Sequence, residues 1–533
     1  MFPSHQDDGL EQAPPLRLGW ALVLSVLLLQ FVSRYLPSPW AVFVADDWPN
    51  YARSTFYASH AEAALTGLQD PNRPLSMAAV EVVYRLFGTH RSYWTALSLL
   101  SNSLMLWFIM RMGLELTGSR RVAVLQGVLF ALWPNLTETW HWSTQILNEV
   151  TCALLFYALS GWLFMAHVRR GGAWRLTVSA LAYGIGLFSY EQGILLPAAF
   201  LAILPWRRER WRAVWRMIPF GLLFLLYGAW RTTGAFGFSD ASHYPPHMQV
   251  GGFSWWFLGW NARQVAHWWI GDRFFGAILA GLDSFATLSL WTRRALMLGN
   301  VAAVTVGVWL LRRLFQKDEE APSTPGIATG QAVAFGVVWS GAAVATSLTS
   351  YTAGRLNILP AMGLALLGGL LLARLPWRIW LAALFVPAVI CLAANQGSAE
   401  NFRQAGEFNR RLFVHLQDTR SKWENKEVLL FETASLRHRR TPGLLGPVSS
   451  AEATWAEYGN ALLFRGFVPL GMVQLIARGG AAPAHVLHDV ECGARIEGDE
   501  LFWHTRYQPE ETHRTPMTRV FVVDVWAATQ PSK

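Results

Sequence analysis

The sequence predicts an all-α polytopic membrane protein of about eleven transmembrane helices, followed by a small α/β domain on the extracytoplasmic side. Three observations predict it. Apolar runs approaching the thickness of a bilayer recur through residues 1–395, the loops between them alternate in basic charge, and the composition becomes that of an ordinary soluble domain from Asn395 onward. Of 533 residues, 53% are apolar and only 15% are charged, against roughly 25% charged in a typical soluble protein. Mean hydropathy is +0.25. These figures exclude a disordered chain, a collagen-like repeat and a disulfide-stapled secreted module. The 28 tryptophans suit a chain that crosses membrane–water boundaries, where amphipathic rings settle.

The apolar runs fall at residues 18–36, 93–112, 122–134, 146–168, 176–189, 192–204, 217–230, 296–311, 331–349, 356–373 and 379–394. Seventeen Lys and Arg residues, from Arg17 to Arg378, lie in alternate loops, whereas the short loops of the other set hold one, Arg355. By the positive-inside rule the N-terminus is expected in the cytoplasm and the C-terminal region in the periplasm of a bacterial inner membrane. The net charge of +9 is therefore read as topology and not as a nucleic-acid footprint. Run 18–36 is longer than a signal-peptide core and precedes no small-residue cleavage pattern, so it is expected to remain as an anchor. Cys152, Cys391 and Cys492 are too few for a disulfide framework or a metal–thiolate site.

Two external loops are long, 37–92 and 231–294. The second carries Trp255, Trp256, Trp260, Trp268 and Trp269, which fits either interfacial anchoring or contact with an acceptor. Residues 396–533 are expected to form the soluble periplasmic domain, with β-like runs at 427–431 and 519–525. Acidic residues and prolines at 317–330 read as a cytoplasmic linker.

Ionisable groups at membrane depth are costly, so each is a candidate for function. Asp46 and Asp47 follow the first run. Mutual repulsion near an apolar boundary raises one pKa and makes a base, although a helix N-cap is the alternative. Arg73 begins a helix in which Leu75, Ala79, Val82, Val83 and Leu86 share a face, ended by Gly88; its guanidinium suits a phosphate or a lipid headgroup. Glu138 and His141 stand three apart in LWPNLTETWHW, a spacing compatible with a metal pair but better suited, with one His, to hydrogen bonding a polar substrate. Glu191 joins two apolar runs and either braces their ends or meets substrate. Arg355 is placed for an anionic phosphate.

The order of these motifs resembles the GT-C glycosyltransferases that use polyprenyl- or dolichyl-phosphate sugars, above all the protein O-mannosyltransferases and the tetratricopeptide-repeat membrane mannosyltransferases. The acidic pair after the first span corresponds to Asp46 and Asp47 in ADDW, and the RPL element to Arg73-Pro74-Leu75. WP-x-x-TE is similar to Trp133-Pro134-Asn135-Leu136-Thr137-Glu138. The serine-lysine-glutamate segment resembles Ser189-Tyr190-Glu191, with Tyr190 replacing the usual Lys. No tetratricopeptide repeats follow.

The resemblance implies a GT-C-like transmembrane domain over 1–395 and an inverting transfer of a sugar from a polyprenyl-phosphate carrier to an acceptor hydroxyl. It implies Asp46 as base, Asp47 as its partner, Arg73 and Arg355 on the phosphate, and Glu138, His141 and Glu191 along the sugar or acceptor cleft. No cofactor is required, and a divalent cation is compatible. The expected partners are the lipid-linked donor, membrane lipid and an unidentified acceptor, with no nucleic acid. Two other classes stay open: a lipid-linked-sugar flippase, which would show paired half-repeats, and an O-antigen polymerase or ligase, which the early DD and RPL order disfavours.

Overall fold

The computed structural model describes residues 18–44, 46–70, 73–134, 136, 138–204, 210–232, 255–269, 272–319, 329–349, 354–432, 467–478, 480–489, 492–505 and 508–529. Helix α1 (Trp20–Tyr35) leads into three helices within the expected long loop, α2 (Asp47–Thr55), α3 (His60–Leu68) and α4 (Pro74–Phe87). The amphipathic helix expected from Leu75 to Leu86 is α4. Pro74 occupies its first turn, where a missing N–H costs nothing, and Gly88 at φ +50° ends it.

Helices α5 (Arg91–Thr117), α6 (Arg120–Leu132), α7 (Glu138–His141), α8 (Ser143–Arg170) and α9 (Ala173–Ser189) continue the chain. They are followed by α10 (Pro197–Leu201), α11 (Arg210–Thr232), α12 (Trp255–Trp269) and α13 (Asp272–Ala286). The series closes with α14 (Leu290–Glu319), α15 (Thr329–Thr349), α16 (Ile358–Arg374) and α17 (Trp377–Asp418).

Five of the described helices are long and apolar enough to cross a membrane: α5, α8, and the segments Arg210–Trp230, Leu290–Arg313 and Thr329–Leu348. Trp20–Tyr35, Glu191–Leu201, Phe274–Ala286 and Ile358–Arg374 are shorter apolar helices. The count of eleven is thus not reached among the described residues. The 13 residues of α6 rise only roughly 20 Å, short of a core about 30 Å thick. The run at 192–204 is broken between a 3-10 turn, Glu191–Gly193, and the five residues of α10.

Helix α5 packs on α6 and α8, α16 lies against α6 and α15, and α9 lies against α8. Their shared core includes Met105, Ile109, Phe164 and Trp339, all fully buried. The α15–α16 contact is drawn close by hydrogen bonds from Trp339 Nε1 to Leu359 O and from Ser340 Oγ to Pro360 O, both 3.0 Å. Small and polar residues at such crossings replace the hydrophobic drive that lipid removes.

Helix α17 runs unbroken for 42 residues, roughly 63 Å, and passes through the boundary expected at residue 395. Beyond α18 (Arg420–Trp423), β1 (Val428–Glu432) is the central strand of a parallel sheet with β2 (His485–His488) and β6 (Val520–Asp524). The β-like runs read at 427–431 and 519–525 pair directly, Val428 opposite Val520 and Glu432 opposite Asp524. An antiparallel meander of β3 (Arg495–Glu497), β4 (Glu500–Thr505) and β5 (Gln508–Pro516) adds a second sheet.

This strand-bearing part shares a core with the loop helices. Trp48, Tyr84 and Trp94 pack in one cluster with Leu412, Leu429, Met472 and Val523. Helix α19 (Phe467–Ala477) lies on α2 so closely that a Cβ on Gly471 would stand 2.5 Å from Pro49 N and 2.7 Å from the Trp48 carbonyl carbon. A methyl group there must push backbone apart, at a cost of about 1–3 kcal/mol, which outweighs the gain in helix propensity of about 1 kcal/mol. At Gly341 nothing lies within 4 Å of the same added atom. Gly471→Ala is therefore expected to lower the Tm of the purified protein in detergent, and Gly341→Ala to leave it unchanged or raise it. Equal Tm values for the two variants would show that the α2–α19 contact is not tight.

Candidate active site

The acid pair sits where the chain leaves α1 and enters α2. The segment before it is pinned to the start of α8 by backbone pairing: Val42 N–H donates to His141 O at 2.7 Å, and Ser143 N–H donates to Val42 O at 3.2 Å. Trp142 Nε1 donates to Val44 O at 3.1 Å. These bonds bring ADDW against the TWHWST stretch, nearly a hundred residues further along the chain.

Asp47 is fully buried. Its Oδ2 accepts from Val44 N–H at 2.6 Å, and its Oδ1 accepts from the N–H and the hydroxyl of Thr144 at 2.8 and 2.6 Å. The Tyr84 hydroxyl, from α4, donates to the same Oδ1. Burial pushes the Asp47 pKa up to about 7, and the hydrogen bonds from Thr144, Tyr84 and Val44 pull against it. Asp46, by contrast, is half-buried at the N-cap position of α2, and its side chain makes no cap hydrogen bond. The two adjacent acids therefore differ in burial. Arg53 of α2 hydrogen-bonds Glu81 of α4, fastening the two helices a second time.

Arg73 and Glu191, expected as separate contacts, are brought to each other. Arg73 Nε and NH2 donate to the two oxygens of Glu191 at 3.0 and 3.2 Å, and the guanidinium stacks on the Tyr190 ring at 3.8 Å. Ser76 Oγ donates to Ser189 O at 2.8 Å beside them. Tyr190 thus supplies a ring face to a cation from another segment.

His141 is fully buried. Its Nε2 lies 2.6 Å from Arg34 O and its Nδ1 3.3 Å from Trp40 O, and burial lowers its pKa to about 4. The neutral ring has one N–H, which can donate to one of these carbonyls and so fasten α7 to the chain at the end of α1, and both nitrogens face carbonyl oxygens. Glu138 is also buried. Among the described residues no group of three or more His, Cys, Asp and Glu could hold a metal ion. The side chain of Arg355 lies outside the described residues. Its backbone forms the 3-10 turn Gly354–Asn357, which packs against α7, and Gln192 Nε2 hydrogen-bonds Leu356 O.

Sequence reasoning missed Tyr84 and Thr144, which hold Asp47, and Arg34. Arg34 is fully buried, donates to Asn395 Oδ1 at 3.0 Å and to Trp133 O, and stands over the Trp140 ring at 5.4 Å. A cation inside the apolar run 18–36 was the available signal for Arg34. Nothing local distinguishes Thr144 from its neighbours.

Helices able to cross a bilayer, with a divided acid pair and a stacked Arg–Glu pair at one end, define a membrane protein with a polar site at the mouth of its bundle. No protein-family model matches the chain, and no curated protein matches it. Among solved structures it is similar to ArnT from Cupriavidus metallidurans in the apo state, with 14% sequence identity, coverage of 87% of this chain and 88% of that one, and a TM-score of 0.34.

The raised pKa of Asp47 has a consequence for stability. An unfolded aspartate ionises near 4, whereas the folded group keeps its proton until about 7. Between these values the native state binds the extra proton, so stability falls as pH rises and levels off above 7. The Tm difference between wild type and Asp47→Asn is expected to shift against wild type as pH rises from 4 to 7. A difference that does not change with pH would show that Asp47 stays ionised throughout.

Proposed function

We propose that this chain is an inverting glycosyltransferase that moves a sugar from a polyprenyl-phosphate carrier to an acceptor hydroxyl on the periplasmic face of a bacterial inner membrane. The observation that carries the reading is the division of labour in the acid pair. Asp47 is immobilised from three directions, and Asp46, next in the chain, stays half-exposed. The motif order from ADDW through RPL to WP-x-x-TE supports the same reading.

In this mechanism the acceptor oxygen bonds to the anomeric carbon as the bond from that carbon to the carrier phosphate breaks. The acceptor proton passes to Asp46, and the bonding electrons leave with the phosphate. Attack from the face opposite the leaving group inverts the anomeric centre. Charge on the sugar ring is oxocarbenium-like in such reactions, and a nearby carboxylate offsets it.

The departing phosphate gains negative charge and needs cations already oriented. Arg73 meets that need, its plane set by Tyr190 and Glu191 and its side chain 27% exposed. Arg355 is the second cation of the proposal. Helix α4 separates the two ends of the site: Ser76, beside Arg73, and Tyr84, on Asp47, stand eight residues apart, roughly 12 Å along the axis. That spacing lets a sugar phosphate reach from the cations to the acids. Glu191 then acts through Arg73, His141 holds the segment that leads into the first turn of α8 with Thr144, and Glu138 belongs to the cleft wall.

Purified protein incubated with radiolabelled polyprenyl-phosphate sugars is expected to release the free carrier phosphate. Asp46→Asn should lower kcat by about 10²- to 10⁴-fold, the usual worth of a positioned base, with Tm unchanged. Arg73→Ala and Arg355→Ala should lower kcat/KM for the lipid donor. Full activity in Asp46→Asn would remove the base assignment, and no consumption of any polyprenyl-phosphate sugar would remove the enzyme reading.

A further inference from the structure

At the opposite end of the bundle, arginines expected only to report topology gather around one carboxylate. Glu115 of α5 is fully buried. Arg111 NH2 lies 3.2 Å from its Oε1, Arg170 NH2 2.7 Å from the same oxygen, and Arg169 NH1 3.5 Å from its Oε2. Three guanidinium groups from two helices thus face one acid among the described residues.

The plain structural role of such a cluster is to tie α5 to α8 and to complement the negative C-terminal ends of both helices. Its charge balance exceeds that role. Each helix terminus offers roughly half an elementary charge, so among the described residues two termini and Glu115 together offset about two of the three positive charges. Arg169 shows where the surplus lies. Its side chain is 6% exposed; NH1 faces Glu115 Oε2 at 3.5 Å, whereas Nε and NH2 are buried without a hydrogen bond. A guanidinium carries five N–H donors, and burying them without acceptors is costly.

The depth of the cluster indicates the missing acceptor. Helix α5 begins beside the acid-pair loop, where Ala41 N–H donates to Thr95 Oγ1 at 2.8 Å. Glu115 lies twenty residues further along the same helix, roughly 30 Å away, about the thickness of a bilayer's hydrocarbon core. The cluster therefore stands at the headgroup level of the opposite leaflet, which the loop charges assign to the cytoplasm. Trp162, of a residue type that favours that level, lies under Arg111 at 5.4 Å. Arg111 and Arg170 keep 14% and 12% of their side-chain surface exposed, giving a path inward.

We propose that Arg111, Arg169 and Arg170 form a binding site for the phosphate of an anionic phospholipid headgroup, on the face of the bundle remote from the acid pair. Basic pockets between spans at the cytoplasmic surface bind headgroups in this way, and the guanidinium fork matches phosphate oxygens. The site is independent of the transferase reading.

The test is thermal unfolding of the full chain in detergent with added phosphatidylglycerol, phosphatidylcholine or millimolar inorganic phosphate. Phosphatidylglycerol is expected to raise the wild-type Tm more than phosphatidylcholine does. Arg169→Gln should lose more than half of that rise, whereas Arg374→Gln, at an exposed arginine ending α16, should keep it. If Arg169→Gln does not fold, Arg169→Lys, which keeps the charge and loses the fork, should show a reduced rise. An undiminished rise in both Arg169 variants, or no preference for phosphatidylglycerol in wild type, would overturn the site. Equal stabilisation by inorganic phosphate would overturn the assignment to a lipid.

Discussion

The four hydrogen bonds onto the Asp47 carboxyl group are the constraint around which the mouth of the bundle is arranged. Their donors come from the loop after α1, from α4 and from the first turn of α8. A buried carboxylate is tolerated only when its lone pairs are met, so these segments have one common geometry available. Thr144 meets Asp47 only because Val42 pairs with the backbone around Trp142, and Tyr84 meets it only because α4 lies along α2. Removing any one donor leaves the acid under-satisfied in a dry place and loosens the other two contacts.

The same constraint draws in the C-terminal part. Trp48, one residue past Asp47, enters the core that also holds Met472, Leu429 and Val523, and Pro49 lies under Gly471. Composition marks residues 396–533 as different in polarity, and that difference is real. Polarity alone does not separate them physically, because α17 continues through the boundary and α19 packs on α2. The strand-bearing part is joined to the acid-pair helix by a shared apolar core as well as by the chain.

What could be read from the sequence was what is local. Helix α4 was legible because its apolar period and its glycine stop lie within fifteen residues, and β1 and β6 because short apolar runs between polar turns carry their own signal. The long spans α5 and α8 were legible for the same reason. The acid pair stood out as two like charges beside an apolar run. Its anchors did not, since Tyr84 and Thr144 are 37 and 97 residues away and each is unremarkable among its neighbours. Arg73 and Glu191 were both singled out, yet their pairing across 118 residues is a property of the packed bundle. The count of eleven spans is not confirmed among the described residues: α6 and Glu191–Leu201 are short or interrupted, and apolar character reports burial in protein as readily as burial in lipid.

The position of Asp46 is set in large part by these distant contacts on its neighbours. The chain before it is held by Trp142 on Val44 O, and the residue after it is locked by Thr144 and Tyr84. With both flanks fixed, its backbone has little freedom, while the side chain keeps contact with the surface. A proton acceptor works best when its position is set before substrate arrives, so that no ordering is needed at the moment of reaction. Under the proposed function that ordering falls to the neighbouring acid, since the bonds that hold buried Asp47 also fix the backbone on which the partly exposed Asp46 stands.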